Sequence, residues 1–269
     1  MTIRTPLLFA LLATACGPGQ STFATHPGAA STFDPAASDP KAVAIADKVY
    51  AAAGGAAWEK NKQLRWSEQI SNDGKVASGE QAWDRWGGRH HARLHLEQGD
   101  IIVMRELYGD SASAFVGKNR MPEDDTNRAV KTAQGRWDFD TAMLCMQFLI
   151  KAPGVKLSYV GEKMDDANQP TLEEIKLTFD AKDATRDGTT FYVVVDKASS
   201  VISRIEMVKP GQPDTARIGY QLLDWVTVSG MKFPGKLQNI GLKSEVITFS
   251  DLKAGDPEED LYVPQVTPG

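Results

Sequence analysis

Apolar positions along the chain repeat in two rhythms. Val43, Ala46, Val49, Tyr50 and Ala53 recur every three to four residues, the spacing of one helix face. Asp39-Pro40 before them offers an N-cap and a first-turn proline, and Gly54-Gly55 stops the run. Residues 56–62 fit a short second helix anchored by Trp58. From Leu64 the repeat shortens to two: Leu64, Trp66 and Ile70 alternate with Arg65, Ser67 and Gln69. Asn72-Asp73-Gly74 is a hairpin signal, and 80–86 reads as the returning strand. Strands over 91–97 and 101–107 flank Gln98-Gly99-Asp100, and 113–116 adds a short one.

The alternation then stops. Residues 121–134 are charged and fit a surface loop or a short helix. Residues 140–150 are dense in apolar side chains, among them Met143, Met146 and Leu149, and predict a helix buried on most sides that ends before Pro153-Gly154. Strands follow over 156–160, 173–179, 190–195, 201–208, 217–223, 231–239 and 244–249, with turn residues between most of them. About ten strands with short turns build one curved antiparallel sheet, whose apolar concave face needs covering. The fold class expected is α+β, mostly antiparallel β: a single curved sheet forming an open half-barrel, with the helices at 40–53 and 140–150 over its concave face. Residues 39–269 read as one domain.

The amino terminus reads as an address. Arg4 and an apolar run over 7–15 lead to Ala13-Thr14-Ala15-Cys16, and the run is too short to span a bilayer. Residues 1–15 are a secretory signal. Small residues before a cysteine resemble the lipobox of bacterial lipoproteins, in which Cys16 is the site of lipid attachment, diacylglycerol and a fatty acid such as palmitate. Ala13-Thr14-Ala15 also suits an ordinary signal peptidase. The Gly, Pro, Ser, Thr and Ala-rich stretch to residue 38 reads as a flexible tether of roughly 25 Å reach. By the same resemblance, Gly17 after the cysteine favours the outer membrane, which places the protein in the periplasm.

Composition narrows the function classes. The 269 residues carry 30 basic and 35 acidic side chains, so a general nucleic-acid binder is not expected. Mean hydropathy is −0.32. Six Trp, six Tyr and ten Phe argue for a large core. Two cysteines cannot build a disulfide scaffold.

Candidate chemistry is sparse. His90, His91 and His95 suggest a metal, but on a strand His91 and His95 stand about 13 Å apart, too far for one ion, and a solvated strand face is the simpler reading. The pairs Asp124/Asp125, Asp165/Asp166, Glu173/Glu174 and Glu258/Glu259 read as solvated charge. Gly230 to Lys236 mimics a phosphate loop, yet Leu237 stands where a hydroxyl is needed. Cys145 reads as an inert buried thiol. No catalytic, metal or cofactor constellation emerges, and no enzyme is expected. What remains is apolar surface: Trp66, Trp83, Trp86, Phe179, Val195, Ile205, Tyr220 and Phe233 are candidates to line a concavity, or to fill an ordinary core.

Residues 45–55 (Ile-Ala-Asp-Lys-Val-Tyr-Ala-Ala-Ala-Gly-Gly), Trp58 and Leu64-Arg65-Trp66 resemble the start of periplasmic lipoprotein-carrier (LolA/LolB-like) proteins. So do Val195-Asp196, Val201 to Arg204, Tyr220, Asp224 and Lys232-Phe233-Pro234. Gln81 to Arg85 and residues 152–162 resemble a less characterised branch of that superfamily. The resemblance implies an incomplete barrel closed by a helical lid around an apolar cavity for acyl chains. No position matches the family's lid arginine or membrane-inserting leucine loop. The function expected is that of an anchored lipoprotein binding a lipid, an acyl chain or another hydrophobic ligand. The alternative is a scaffold or sensor gripping a protein partner through the same sheet.

Overall fold

The computed structural model describes residues 33–109, 111–179 and 188–264. The residues read as a leader, Cys16 and most of those read as a tether lie outside the described residues. The last residues read as tether are docked: Asp34 caps a 3-10 turn over Pro35–Ala37, and Phe33 packs against the core.

Local chemistry sets the first helices. Helix α1 (Pro40–Ala52) starts at Asp39, whose carboxylate accepts the amide hydrogens of Lys41 and Ala42 at 2.7 and 3.4 Å. It buries Ala42, Ile45, Ala46 and Val49. Gly54, at φ 91°, turns the chain into α2 (Gly55–Lys60). Arg85 then fastens α2 to the sheet: its guanidinium donates to the carbonyls of Trp58 and Asn61 and lies 3.6 Å above the Trp58 ring.

The strands are β1 (Gln63–Asn72), β2 (Lys75–Asp84), β3 (Arg89–His95), β4 (Ile101–Glu106), β5 (Ala112–Val116) and β6 (Asn119–Arg120), followed after the long helix by β7 (Val155–Lys163), β8 (Leu172–Phe179), β9 (Thr190–Asp196), β10 (Ile202–Val208), β11 (Ile218–Leu223), β12 (Val226–Val228), β13 (Met231–Phe233), β14 (Lys236–Asn239) and β15 (Val246–Gly255). Thirteen of them form one antiparallel sheet in the order β6-β5-β4-β3-β2-β1-β15-β14-β11-β10-β9-β8-β7. Pairing of β1 with β15 joins the two halves, and the sheet stays open between its edges β6 and β7. The β1–β2 hairpin turns at Asp73 and Gly74, both at positive φ, as the Asn-Asp-Gly signal predicts. The strand expected over 231–239 is split: Pro234 cannot donate to a ladder, and β13 pairs with β12 in a separate ribbon.

The largest departure from expectation is the connection between the halves. Instead of a loop or short helix followed by a separate buried helix, residues Glu123–Leu144 form one helix, α3, about 33 Å long. Cys145 breaks it, and the short α4 (Met146–Leu149) follows. Three acidic residues in its first turn suit the positive helix end. Its charged first half is amphipathic with a small-residue face: Ala129 and Ala133 pack against Ala92, Val103 and Ala114 of β3, β4 and β5. Alanines let helix and sheet approach closely, but they carry little hydropathy to announce it.

Gly54 also sits where the α1–α2 joint meets the β12–β13 turn. A Cβ there would lie 2.0 Å from the Gly230 carbonyl oxygen, whereas at Gly74 it would meet nothing within 4 Å. Gly74→Ala is therefore expected to cost only backbone strain, about 1 kcal/mol, and Gly54→Ala at least about 2 kcal/mol, read as shifts in the urea unfolding midpoint.

Candidate functional site

The inward positions of the sheet and the residues of α3–α4 meet in one buried core. Trp66, Trp83, Val195, Ile205, Tyr220 and Phe233 all lie in it, as do Met143, Met146 and Leu149 of the covering helices. The contacts are aromatic. Phe148 stacks on Trp58 at 4.5 Å and leans on Phe233 at 5.5 Å; Phe139 meets Tyr220 edge-on at 5.4 Å, and Trp137 meets Trp83 at 5.4 Å. Gln147 ties α4 to β13 by donating to the carbonyl of Lys232 at 2.9 Å. Phe179 is half-buried at one end of β8, edge-on to Phe191. Trp86 stands apart, exposed on the turn between β2 and β3.

Beside this apolar field runs a polar seam. Glu68, Gln81, His90 and Arg105 occupy inward positions on four adjacent strands, β1 to β4, and all are buried. Helix α3 lays Arg136 and Asp140, one turn apart, onto them. Asp140 has no solvent exposure; its carboxylate accepts from Trp66 Nε1 at 3.3 Å, Gln81 Nε2 at 3.1 Å and Arg136 Nε at 3.2 Å, while Arg136 Nη2 lies 2.6 Å from its other oxygen. Arg136 Nε also reaches Glu68 Oε1 at 3.4 Å. With the Gln81 amide nitrogen turned to Asp140, its oxygen can only accept, so His90 donates from Nε2 at 2.7 Å. Its bare Nδ1 then has no partner.

Burial sets the electrostatics of the seam. Removal from water and the neighbouring Asp140 charge push the Glu68 carboxyl up to about 8, against the pull of Arg136. Burial raises Asp140 as well, with Arg136 opposing. Burial lowers His90, helped by Arg105, and takes Arg105 itself down to about 10. One guanidinium thus faces two carboxyls across the junction of helix and sheet.

The histidine cluster divides between faces. His90 points in; His91 and His95 share the outer face, as strand geometry requires. That face is not simply solvated. His91 is buried, and burial beside Arg93 and Arg65 lowers its pKa to about 4. His95 is half-exposed and pairs with Asp100 at 2.9 Å. The acidic pairs are likewise more engaged than expected. Glu174 is fully buried, held by Arg217 at 2.8 Å and Lys163 at 3.1 Å; Glu258 and Glu259 pair with Arg65 and Arg89. Cys145 is buried, and burial raises its thiol, consistent with an unreactive side chain.

Sequence reasoning missed the seam. One signal was available: Glu68 falls in register with Leu64, Trp66 and Ile70 on the inward side, where a carboxylate needs a partner. Arg136 and Asp140, four apart, supply it, Asp140 from the start of the expected helix and Arg136 from the unassigned residues before it.

No protein-family model and no curated protein matches the chain. Solved structures similar to it in fold include the following three. One is an outer membrane lipoprotein-sorting protein domain from Vibrio parahaemolyticus, at 11% identity, covering 82% of this chain and 96% of that one, with a TM-score of 0.47. A DUF1329 family protein from Desulfovibrio piger has 12% identity, 82% and 97% coverage and a TM-score of 0.48. A LolA superfamily protein from Nitrosomonas europaea has 10% identity, 82% and 97% coverage and a TM-score of 0.49.

Arg136→Met leaves two buried carboxyls without their cation. It is expected to cost about 3–5 kcal/mol near pH 8 in urea unfolding. The loss shrinks as pH falls and the buried carboxyls take up protons; a loss independent of pH would contradict this electrostatic account.

Proposed function

We propose that this chain is an exported, non-enzymatic lipoprotein whose half-barrel takes up a lipid, an acyl chain or another hydrophobic ligand on the concave face of its sheet. The observation that carries the reading is the aromatic and aliphatic field of Trp66, Trp83, Ile205, Tyr220 and Phe233, presented by an open sheet and covered by a helix pair that breaks at Cys145. Such a cover can be exchanged for another apolar body. Each CH₂ moved out of water is worth ~0.8 kcal/mol, so a long acyl chain gains on the order of 10 kcal/mol before costs.

Membrane attachment in this reading is through acylated Cys16, with the domain in the periplasm and the anchor in the outer membrane. No helix among the described residues is long and apolar enough to cross a membrane. A protein partner remains the second reading, favoured by one feature. Edge strand β7 is engaged near Leu157 by Ser38 and Asp39, but farther along it exposes Val160, with exposed Met164 just past its end, where a partner strand can add.

Native mass spectrometry of protein extracted from envelopes is expected to show a co-purified lipid, and the delipidated protein to take up a fluorescent fatty acid one-to-one. A lipid-free protein that takes up none, yet retains a second polypeptide, supports the second reading instead. Labelling with an alkynyl palmitate is expected for the natural chain and lost in Cys16→Ser; equal labelling of both would overturn the anchor.

A further inference from the structure

The polar seam plays no part in holding an acyl chain, yet it joins the cover to the sheet. We propose that α3 is seated by a proton: with one guanidinium between two carboxyls, Glu68 of the sheet stays protonated while the helix is down and releases its proton to water as the helix lifts. This rests on the reading that α3–α4 uncovers the concave face.

From β1, Trp66 donates to Asp140, and from β2, Gln81 does so too. Gly79 on β2 leaves room for the Glu68 carboxyl, since a Cβ there would lie 2.9 Å from Oε1. From β3, His90 is kept neutral by burial and hydrogen-bonded to Gln81, so it supplies no charge. From β4, Arg105 feels the attraction of Asp138 on α3, so that pair balances itself. From β11, Tyr220 is committed to Glu245 at 2.5 Å. Arg136 is left with both Glu68 and Asp140. Two ionised carboxylates would leave a net buried negative charge, and Glu68 Oε2 has no hydrogen-bond donor to stabilise one. A neutral carboxyl removes that cost. Glu68 Oε1 has only long contacts, to Gln81 at 3.5 Å and Arg136 at 3.4 Å, whereas Asp140 has three donors on one oxygen and Arg136 Nη2 2.6 Å from the other, and is the better site for the remaining charge.

The sign follows from linkage. Glu68 is held up to about 8 when seated and returns toward its ordinary 4.5 in water. Lifting therefore releases a proton, and its equilibrium rises with pH between those two values, by up to about tenfold per pH unit, then levels off. Higher pH uncovers the concave face; lower pH seals it.

Hydrogen exchange of the α3 amides in the full ligand-free chain, corrected for intrinsic rates, tests this between pH 5 and 9. Protection in the wild type is expected to fall with that slope and reach a plateau above pH 8. In Glu68→Gln, a neutral side chain of the same shape, protection is expected to stay high and flat. Wild-type protection that does not change with pH, or Glu68→Gln exchange that follows the wild type, overturns the proposal. Should Glu68→Gln fail to fold, the wild-type slope and Asp140→Asn, which also leaves a single carboxyl and is expected to flatten the profile, still decide it. Fatty-acid uptake measured in parallel separates the two readings. Uptake with a flat exchange profile removes the proton seat alone, and a pH-dependent profile without uptake removes the ligand reading alone.

Discussion

An open antiparallel sheet of thirteen strands has a concave apolar face that water must not wet, and the connection from β6 to β7 runs from one edge of that sheet to the other. The stretch joining them has to cross a face. Helix α3 makes the crossing on the concave side, with alanines against β3 to β5, Trp137 and Phe139 at the middle, and Met143, Leu144 and α4 over the far strands. The topology thus makes one helix both connector and cover. Helices α1 and α2 support it from the side through Trp58 and Phe148.

A cover held only by apolar contact would be nonspecific in register. The seam of Glu68, Gln81, His90, Arg136 and Asp140 supplies direction, because its polar groups meet only when one turn of α3 lies over β1 to β3. Buried ion groups are weak sources of net stability but sensitive to the loss of a partner. The cover therefore combines a large, undirected apolar term with a small polar cluster that fixes its position, and the second can respond to solution conditions while the first stays constant.

Much of this was legible in the sequence where local chemistry decides structure. Asp39-Pro40 and Gly54 bound α1, Asp73-Gly74 turns the first hairpin, and period-two alternation marks most strands. The first half of α3 was not legible, because Ala129 and Ala133 give a helix face almost no hydropathy and the residues around them are charged. Pro234 divides what alternation alone reads as one strand. The seam was hidden for another reason: Trp66 and Asp140 are 74 residues apart, and Gln81 and Asp140 are 59 apart, so only the folded chain brings them together. Glu174, whose partner Arg217 is 43 residues away, looked like solvated charge on the same account. Of the aromatic residues singled out, Trp66, Trp83, Tyr220 and Phe233 share the buried core, whereas Trp86 belongs to a turn and stands exposed.

The central claim is that α3 moves away from the sheet when an acyl chain occupies the concave face. Spin labels at Lys131, exposed on α3, and Ser250, exposed on β15, in a chain carrying Cys16→Ser test it through the distance between them. With a saturating fatty acid the distance distribution is expected to shift to longer values and broaden. An unchanged distribution with the fatty acid demonstrably bound would contradict the account.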